Sequence, residues 1–453
     1  MALPLARARA EFAGTAGYLA AASMGLPCRG TVAALQEDLA ACFAGERTPA
    51  DYDAAVAAGR ALYARLVGVD VEDVAVGSQT SVLASVVAGW LPTGSQVLTV
   101  EGEFTSMTYP FLVRPDLRVR AVPMVDLPNA IRDGTTLVAF SYVQSATGDV
   151  ADIEAVVDQA RRHGARTFCD VTQAAGVHPV DAGQLDITVC HAYKWLCAPR
   201  GAAFLTVCED LHEEIRPVQA GWYAGRDVWT SIYGLTPDLA PGARRFDVSP
   251  VWSAWVGAVP ALELFTAVDV AEVWRHSADL GAATLEALGE PVRRQAIVTL
   301  ADPDGARLRT LAAAGVRASG RDGRLRLAFH LWNDEDDVER VSAPSTRRGR
   351  PPEAGRDDHP RTGPDRRESP RAPHPPAPPP PPPRPPAPRS PHPRPRSPTP
   401  PHRSVKERPF TTREGTFTDR SIRGDPAGAP TAWPATGASG DVPHLHRSRA
   451  TCP

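Results

Sequence analysis

Apolar residues recur every three to four positions over residues 30–45 and 51–67, the spacing of two amphipathic helices, with Pro49 between them. From Val74 onward the pattern changes to short β-branched runs separated by longer stretches of helical spacing. Strands are predicted at 97–100, 136–140, 166–169, 187–190 and 203–207. A helix is predicted over 152–163, opened by Asp152 as N-cap and stopped at Gly164. Strands alternating with helices imply a mostly parallel sheet covered on both faces, with ligands held at the carboxyl ends of the strands. A loop-rich stretch follows Gly221 as far as Pro250. Helical spacing then runs over 254–288 with a break near Asp269. Short strands at 296–300, 316–319 and 325–329 alternate with helices at 305–314 and 334–342. The expected class is α/β, with an N-terminal segment (1–30), a large domain (31–250) and a smaller α/β C-terminal domain (251–343).

After about Pro344 the periodicity ends, and the chain reads PPAPPPPPPRPPAPRSPHPRPRSP and similar text. Such a segment cannot bury enough apolar surface to offset its ordering entropy, so 344–453 is expected to be a disordered, Pro/Arg-rich tail. Two origins fit it: a linker that docks SH3-like grooves, or the product of a shifted reading frame in a GC-rich gene. Its abrupt start at the last helix of the small domain favours the second. The net charge of −3 divides accordingly, into about +10 for the tail and about −13 for the rest. An acidic body argues against nucleic acid as its partner. The seven cysteines are odd in number and form no CxxC pair, which suits a reducing compartment. No metal-ligand spacing is present among Cys and His. The N-terminal text MALPLARARAEFAG lacks the apolar core of a secretory signal, and no run approaches the roughly 18 apolar residues of a membrane span. A soluble, cytoplasmic protein with no membrane partner is expected.

The chain contains two lysines, Lys194 and Lys406, so everything before the tail carries a single primary amine on a side chain. Arg can replace Lys in salt bridges and phosphate contacts, but it cannot deprotonate to form a Schiff base. A GC-rich gene could also leave one lysine by chance, so the surroundings matter. Lys194 stands in DITVCHAYKWLCAPRGAAFL, between two strand-like runs. About two dozen residues earlier, in ARTFCDVTQAAGVHPVD, Asp170 ends an apolar strand, where it is either a turn former or a partner for a protonated ring nitrogen. In VAVGSQTSVLASVVAGWL, Ser78, Gln79 and Thr80 open a helix, as a plain cap or as a phosphate cradle.

Phosphate-type loop, strand-end Asp and then Lys is the order found in fold-type-I pyridoxal phosphate enzymes. Over residues 15–343 the chain resembles the class V aminotransferase family of that fold, on the motifs DVTQAAGVHPVD and HAYKWLCAPRG above all. That family includes kynureninases, cysteine desulfurases and isopenicillin N epimerase-like proteins. The resemblance implies pyridoxal 5′-phosphate as cofactor, held by Lys194 as a Schiff base, with Asp170 on the pyridine nitrogen. It implies Gln173 at the phenolic oxygen, Ser78, Gln79 and Thr80 at the phosphate, His191 and Tyr193 at phosphate or ring, and Phe104 stacked over the ring. GRLRLAFHLWNDEDDVERV resembles the family's closing motif, which implies Arg326, with Arg324 as second candidate, on the substrate carboxylate. Gln144 replaces the family's common Asn, and Trp222 and Ser249 match positions near the site of kynureninase-like members. The reaction implied is transamination of an amino acid, with lyase or epimerase chemistry as alternatives, in a homodimer whose subunits share the site. No Cys lies between Glu209 and Thr451, which argues against a desulfurase nucleophile. A non-catalytic scaffold working through the Pro-rich tail is the competing reading of another class.

Overall fold

The computed structural model describes residues 2–346. The reading of 344–453 as a tail therefore lies outside the described residues, apart from the end of the last helix, Glu335–Thr346.

Seven strands form the main sheet: β1 (Val74–Gly77), β2 (Gln96–Val100), β3 (Arg118–Val122), β4 (Thr135–Ser141), β5 (Arg166–Asp170), β6 (Ile187–His191) and β7 (Ala203–Val207). Their spatial order is β1-β7-β6-β5-β4-β2-β3, and β7 alone runs against the rest. Alternate residues feed two cores, because side chains leave a strand on opposite faces with period two. Val74, Val76, Leu98, Val100, Val138 and Phe140 pack on one face. Ala75, Val97, Leu137, Ala139 and Phe168 pack on the other, beneath Leu83, Val87, Met107 and Phe111 of the helices Thr80–Trp90 and Thr105–Leu112. On the first face Tyr63 stacks on Phe204 with ring centroids 4.0 Å apart, and Trp255 meets Phe204 edge-on.

Edge strand β3 is absent from the sequence reading, and its text shows why. RVRAV places arginines at alternate positions, so the half-exposed edge strand lacks an apolar run. The expected helix at 152–163 is present as Ile153–Arg162, and Asp152 caps it by accepting from the Ala155 N–H. The long helical stretch is two helices, Trp252–Ala267 and Val270–Ala287, bent by 87° at the Asp269 cap. Among the described residues no single helix is long and apolar enough to cross a membrane.

A second sheet has the order β8 (Ile297–Ala301), β10 (Arg324–Ala328), β9 (Ser319–Arg321), all antiparallel. The strand expected at 316–319 starts only at Ser319, because Arg317 bridges instead to Tyr18 and exchanges hydrogen bonds with Gly17 and Leu19. Residues 17–25 thus run from this sheet to the Lys194 loop, where the Gly25 N–H donates to the Tyr193 carbonyl.

Candidate active site

Because six strands of the main sheet share one direction, the segments leaving their carboxyl ends gather at one edge. Gly77 leads from β1 into the helix Thr80–Trp90, residues 101–104 follow β2, 141–144 follow β4, 170–173 end β5, and 191–194 end β6. Polar bonds join these segments. The Asp170 carboxylate accepts from the Thr172 N–H at 2.8 Å, and the Thr172 hydroxyl accepts from the His191 N–H at 2.9 Å. The buried Glu103 carboxylate takes the Ser141 hydroxyl at 2.6 Å, the Ser141 N–H and the Phe104 N–H. It thereby fixes the turn from which the Phe104 ring extends.

Lys194 is 7% exposed, and its Nζ lies 5.4 Å from the Phe104 ring centre and 5.7 Å from that of Tyr193. Burial pushes the amine down to about 8, with Arg326 and Arg321 adding to the effect and Asp170 opposing it. The Asp170 carboxyl is raised, chiefly by burial, while Thr172 and Lys194 pull it down. His191 is driven to about 3 by burial and then by Arg200 and Lys194, so its imidazole is neutral. Its buried Nε2 has no hydrogen-bond partner among the described residues.

The remaining expected residues divide. Thr80 is buried at the start of its helix, Ser78 is half-buried and Gln79 exposed, and no side chain caps that helix. Gln173 donates one amide hydrogen to the Ala22 carbonyl and accepts from the Trp195 indole, which leaves one hydrogen. Gln144 likewise donates to the Glu101 carbonyl and accepts from Thr147. Trp222 packs on Tyr223 and Trp229, and among the described residues no hydrogen bond ties it to the lysine cluster. Ser249 is exposed.

Arg326 is 2% exposed. Its guanidinium donates to the Ser319 hydroxyl at 3.1 Å, the Ser145 carbonyl at 2.5 Å and the Ser23 hydroxyl at 2.8 Å. None of these is an anion, and no ion pair to Arg326 exists among the described residues. Burial, then neighbouring Arg321, pushes it down to about 10. Arg324, two residues earlier, is exposed. Trp332 and Asn333, in the closing motif, bond the Tyr18 carbonyl and so anchor the segment that brings Ser23 to the arginine. Ser23, Glu103, Arg200 and Arg321 are absent from the sequence reading. Of these, Glu103 alone left a local signal, an acid directly before Phe104.

The sequence pattern of the family described as Aminotransferase class-V matches residues 56–319. The chain is 25% identical to an uncharacterized aminotransferase, YcbU, of Bacillus subtilis (strain 168), over 61% of this chain and 79% of that one. It is 28% identical to isopenicillin N epimerase of Streptomyces clavuligerus, over 42% of this chain and 54% of that one. The fold is that of the cysteine desulfurase CsdA from Escherichia coli, with a TM-score of 0.66 at 20% identity over 77% of this chain and 98% of that one. This chain belongs to the class V aminotransferase family, on the fold-type-I architecture. Its cofactor is pyridoxal phosphate. The residues fit that group: a buried amine, a buried carboxylate that acts on it, an imidazole nitrogen without a hydrogen-bond partner among the described residues, and a helix start without a side-chain cap.

Proposed function

We propose that this chain transaminates an amino acid, with Lys194 as the amine that carries the cofactor and later serves as base at the substrate α-carbon. The observation that supports this most strongly is Arg326, a buried cation beside that amine whose hydrogen-bond partners are all neutral. An unpaired buried charge is unfavourable unless a ligand supplies the counter-ion, and a guanidinium matches a carboxylate bidentately.

When bound, the cofactor supplies an electron sink for charge that develops at the α-carbon. Asp170 holds the ring nitrogen's proton from the end of β5. Ser78, Gln79, Thr80 and the free Nε2 of His191 hold the phosphate, with Tyr193 alongside. Phe104 covers one ring face, and Gln173 offers its spare amide hydrogen to the phenolic oxygen. Arg326 fixes the substrate carboxylate, with the buried Gln144 as a further substrate contact. An amine near 8 suits proton transfer close to neutral pH, because it is neutral often enough to accept and basic enough to hold the proton.

The domain limits 31–250 and 251–343 are retained as part of this reading. So is a cytoplasmic homodimer in which Trp222 faces the partner's site; the exposed Tyr233 and Leu235 on the same segment support an interface there. Cys28, Cys42, Cys169, Cys190 and Cys197 are free thiols, which suits a reducing compartment. Lack of any Cys between Glu209 and Thr451 disfavours desulfuration. Product analysis tests the reaction. Release of a 2-oxo acid with the substrate's own carbon skeleton supports transamination. A shortened acid or alanine would replace it with side-chain cleavage, and the D-enantiomer with epimerisation.

A further inference from the structure

Arg326 is not the only cation at its end of the site. Arg321 of β9 and Arg326 of β10 converge on one hydroxyl: the Ser23 Oγ accepts from Arg321 Nη2 at 3.3 Å and from Arg326 Nη2 at 2.8 Å. The two guanidinium groups therefore lie within the sum of those distances. Arg324 stands directly opposite Arg321 in the strand register, as Ser319 stands opposite Arg326. Residues paired in this way, and residues two apart on a strand, share a sheet face, so Arg321, Arg324 and Arg326 line one face. Like charges directly opposite each other destabilise a pair of strands. No carboxylate relieves them: among the described residues none of the three is in an ion pair. Yet the acidic body offers many partners, and other arginines such as Arg60, Arg166 and Arg294 are paired.

The positions of these cations differ in depth. Arg326 is buried, whereas Arg321 is exposed. One carboxylate would satisfy Arg326 and leave the outer charge unmatched. Both reach the same Ser23 hydroxyl, so both guanidinium groups lie at one place.

Resting on the proposed role of Lys194 and Arg326, we propose that the preferred substrate is an amino acid whose side chain ends in an acid group. Its α-carboxylate pairs with Arg326 and its side-chain acid with Arg321, reinforced by Arg324. L-Aspartate and L-glutamate are the simplest amino acids that carry two carboxylates.

The full-length protein loaded with pyridoxal phosphate provides the test, by titration of the visible absorption band with L-aspartate and L-glutamate against their neutral isosteres L-asparagine and L-glutamine. The acidic member of a pair should bind about tenfold tighter or more, as expected for a charge-assisted hydrogen bond. Arg321→Gln should abolish that preference and leave the cofactor band in place. Equal affinity for acidic and neutral members in the parent protein, or a preference that survives Arg321→Gln, overturns the proposal. So does an equal loss for both members, which would mean that both arginines grip one α-carboxylate. In each of those cases the band persists and the broader reading stands; a protein that shows no band would instead remove the broader reading itself.

Discussion

The amine of Lys194 is useful because it is both alone and buried. Lys194→Arg keeps the positive charge but cannot deprotonate, so the variant should show no visible cofactor band after incubation with pyridoxal phosphate. A coloured Lys194→Arg protein would refute the assignment. The pH dependence follows from the same burial. The folded amine titrates near 8, against 10.5 for an ordinary lysine, so the apoprotein should capture cofactor at a rate that rises through a midpoint near pH 8. Between those two values the unfolded chain binds the extra proton, so the stability of the apoprotein should rise with pH across that window. Stopped-flow absorbance and denaturant titrations read the two effects. Arg326→Gln removes a charge-assisted contact of about 1.5–3 kcal/mol, so KM for the amino acid should rise roughly ten- to hundredfold, with the cofactor band retained. At this scale Lys194 and Asp170 were legible because chemistry restricts the residue type. Ser23 and Arg321 were not, because a serine or a surface arginine carries no mark of the ligand it will face.

The loop after β6 that carries Lys194 is held by contacts with no spare room. A Cβ at Gly25 would lie 2.0 Å from the Lys194 carbonyl oxygen, and one at Gly176, where φ is +98°, 2.7 Å from that of Trp195. His330 completes the clasp. Its Nδ1 accepts from the Leu331 N–H, so its Nε2–H is the donor to the Trp195 carbonyl at 2.8 Å. Gly25→Ala should therefore displace the loop and weaken cofactor affinity at least tenfold, read by the fraction of band retained on dilution. A second element-scale device is the buried pair of Arg60 and Asp247, 2.6 Å apart, whose carboxylate also accepts from the Val76 N–H. It ties the stretch after residue 242 to β1. Asp247→Ala leaves a buried guanidinium unpaired and should cost about 3–5 kcal/mol, measured by chemical denaturation. The short β-branched apolar runs made most inner strands readable, whereas β3 was hidden by its alternate arginines.

At the scale of the molecule, the site lies where the main sheet's carboxyl edge, the small sheet and residues 17–25 meet. A protein ending after Thr346 should keep its cofactor band and melting temperature; loss of both would favour the reading in which the Pro-rich segment is the working part. Sedimentation equilibrium should give twice the chain mass, and a monomer that turns over substrate would remove the shared-site arrangement. By itself the sequence determined the alternation of strands and helices, the order of the Ser78–Thr80 segment, Asp170 and Lys194, and the resemblance to the family, because periodicity and scarce residue types are local properties. Only tertiary structure decided that Arg326 is buried without a counter-ion among the described residues, that Ser23 bridges it to Arg321, and that two glycines clasp the lysine loop. Burial, charge pairing and close approach depend on residues that folding brings together from separate parts of the chain, as it does Ser23 and Arg326.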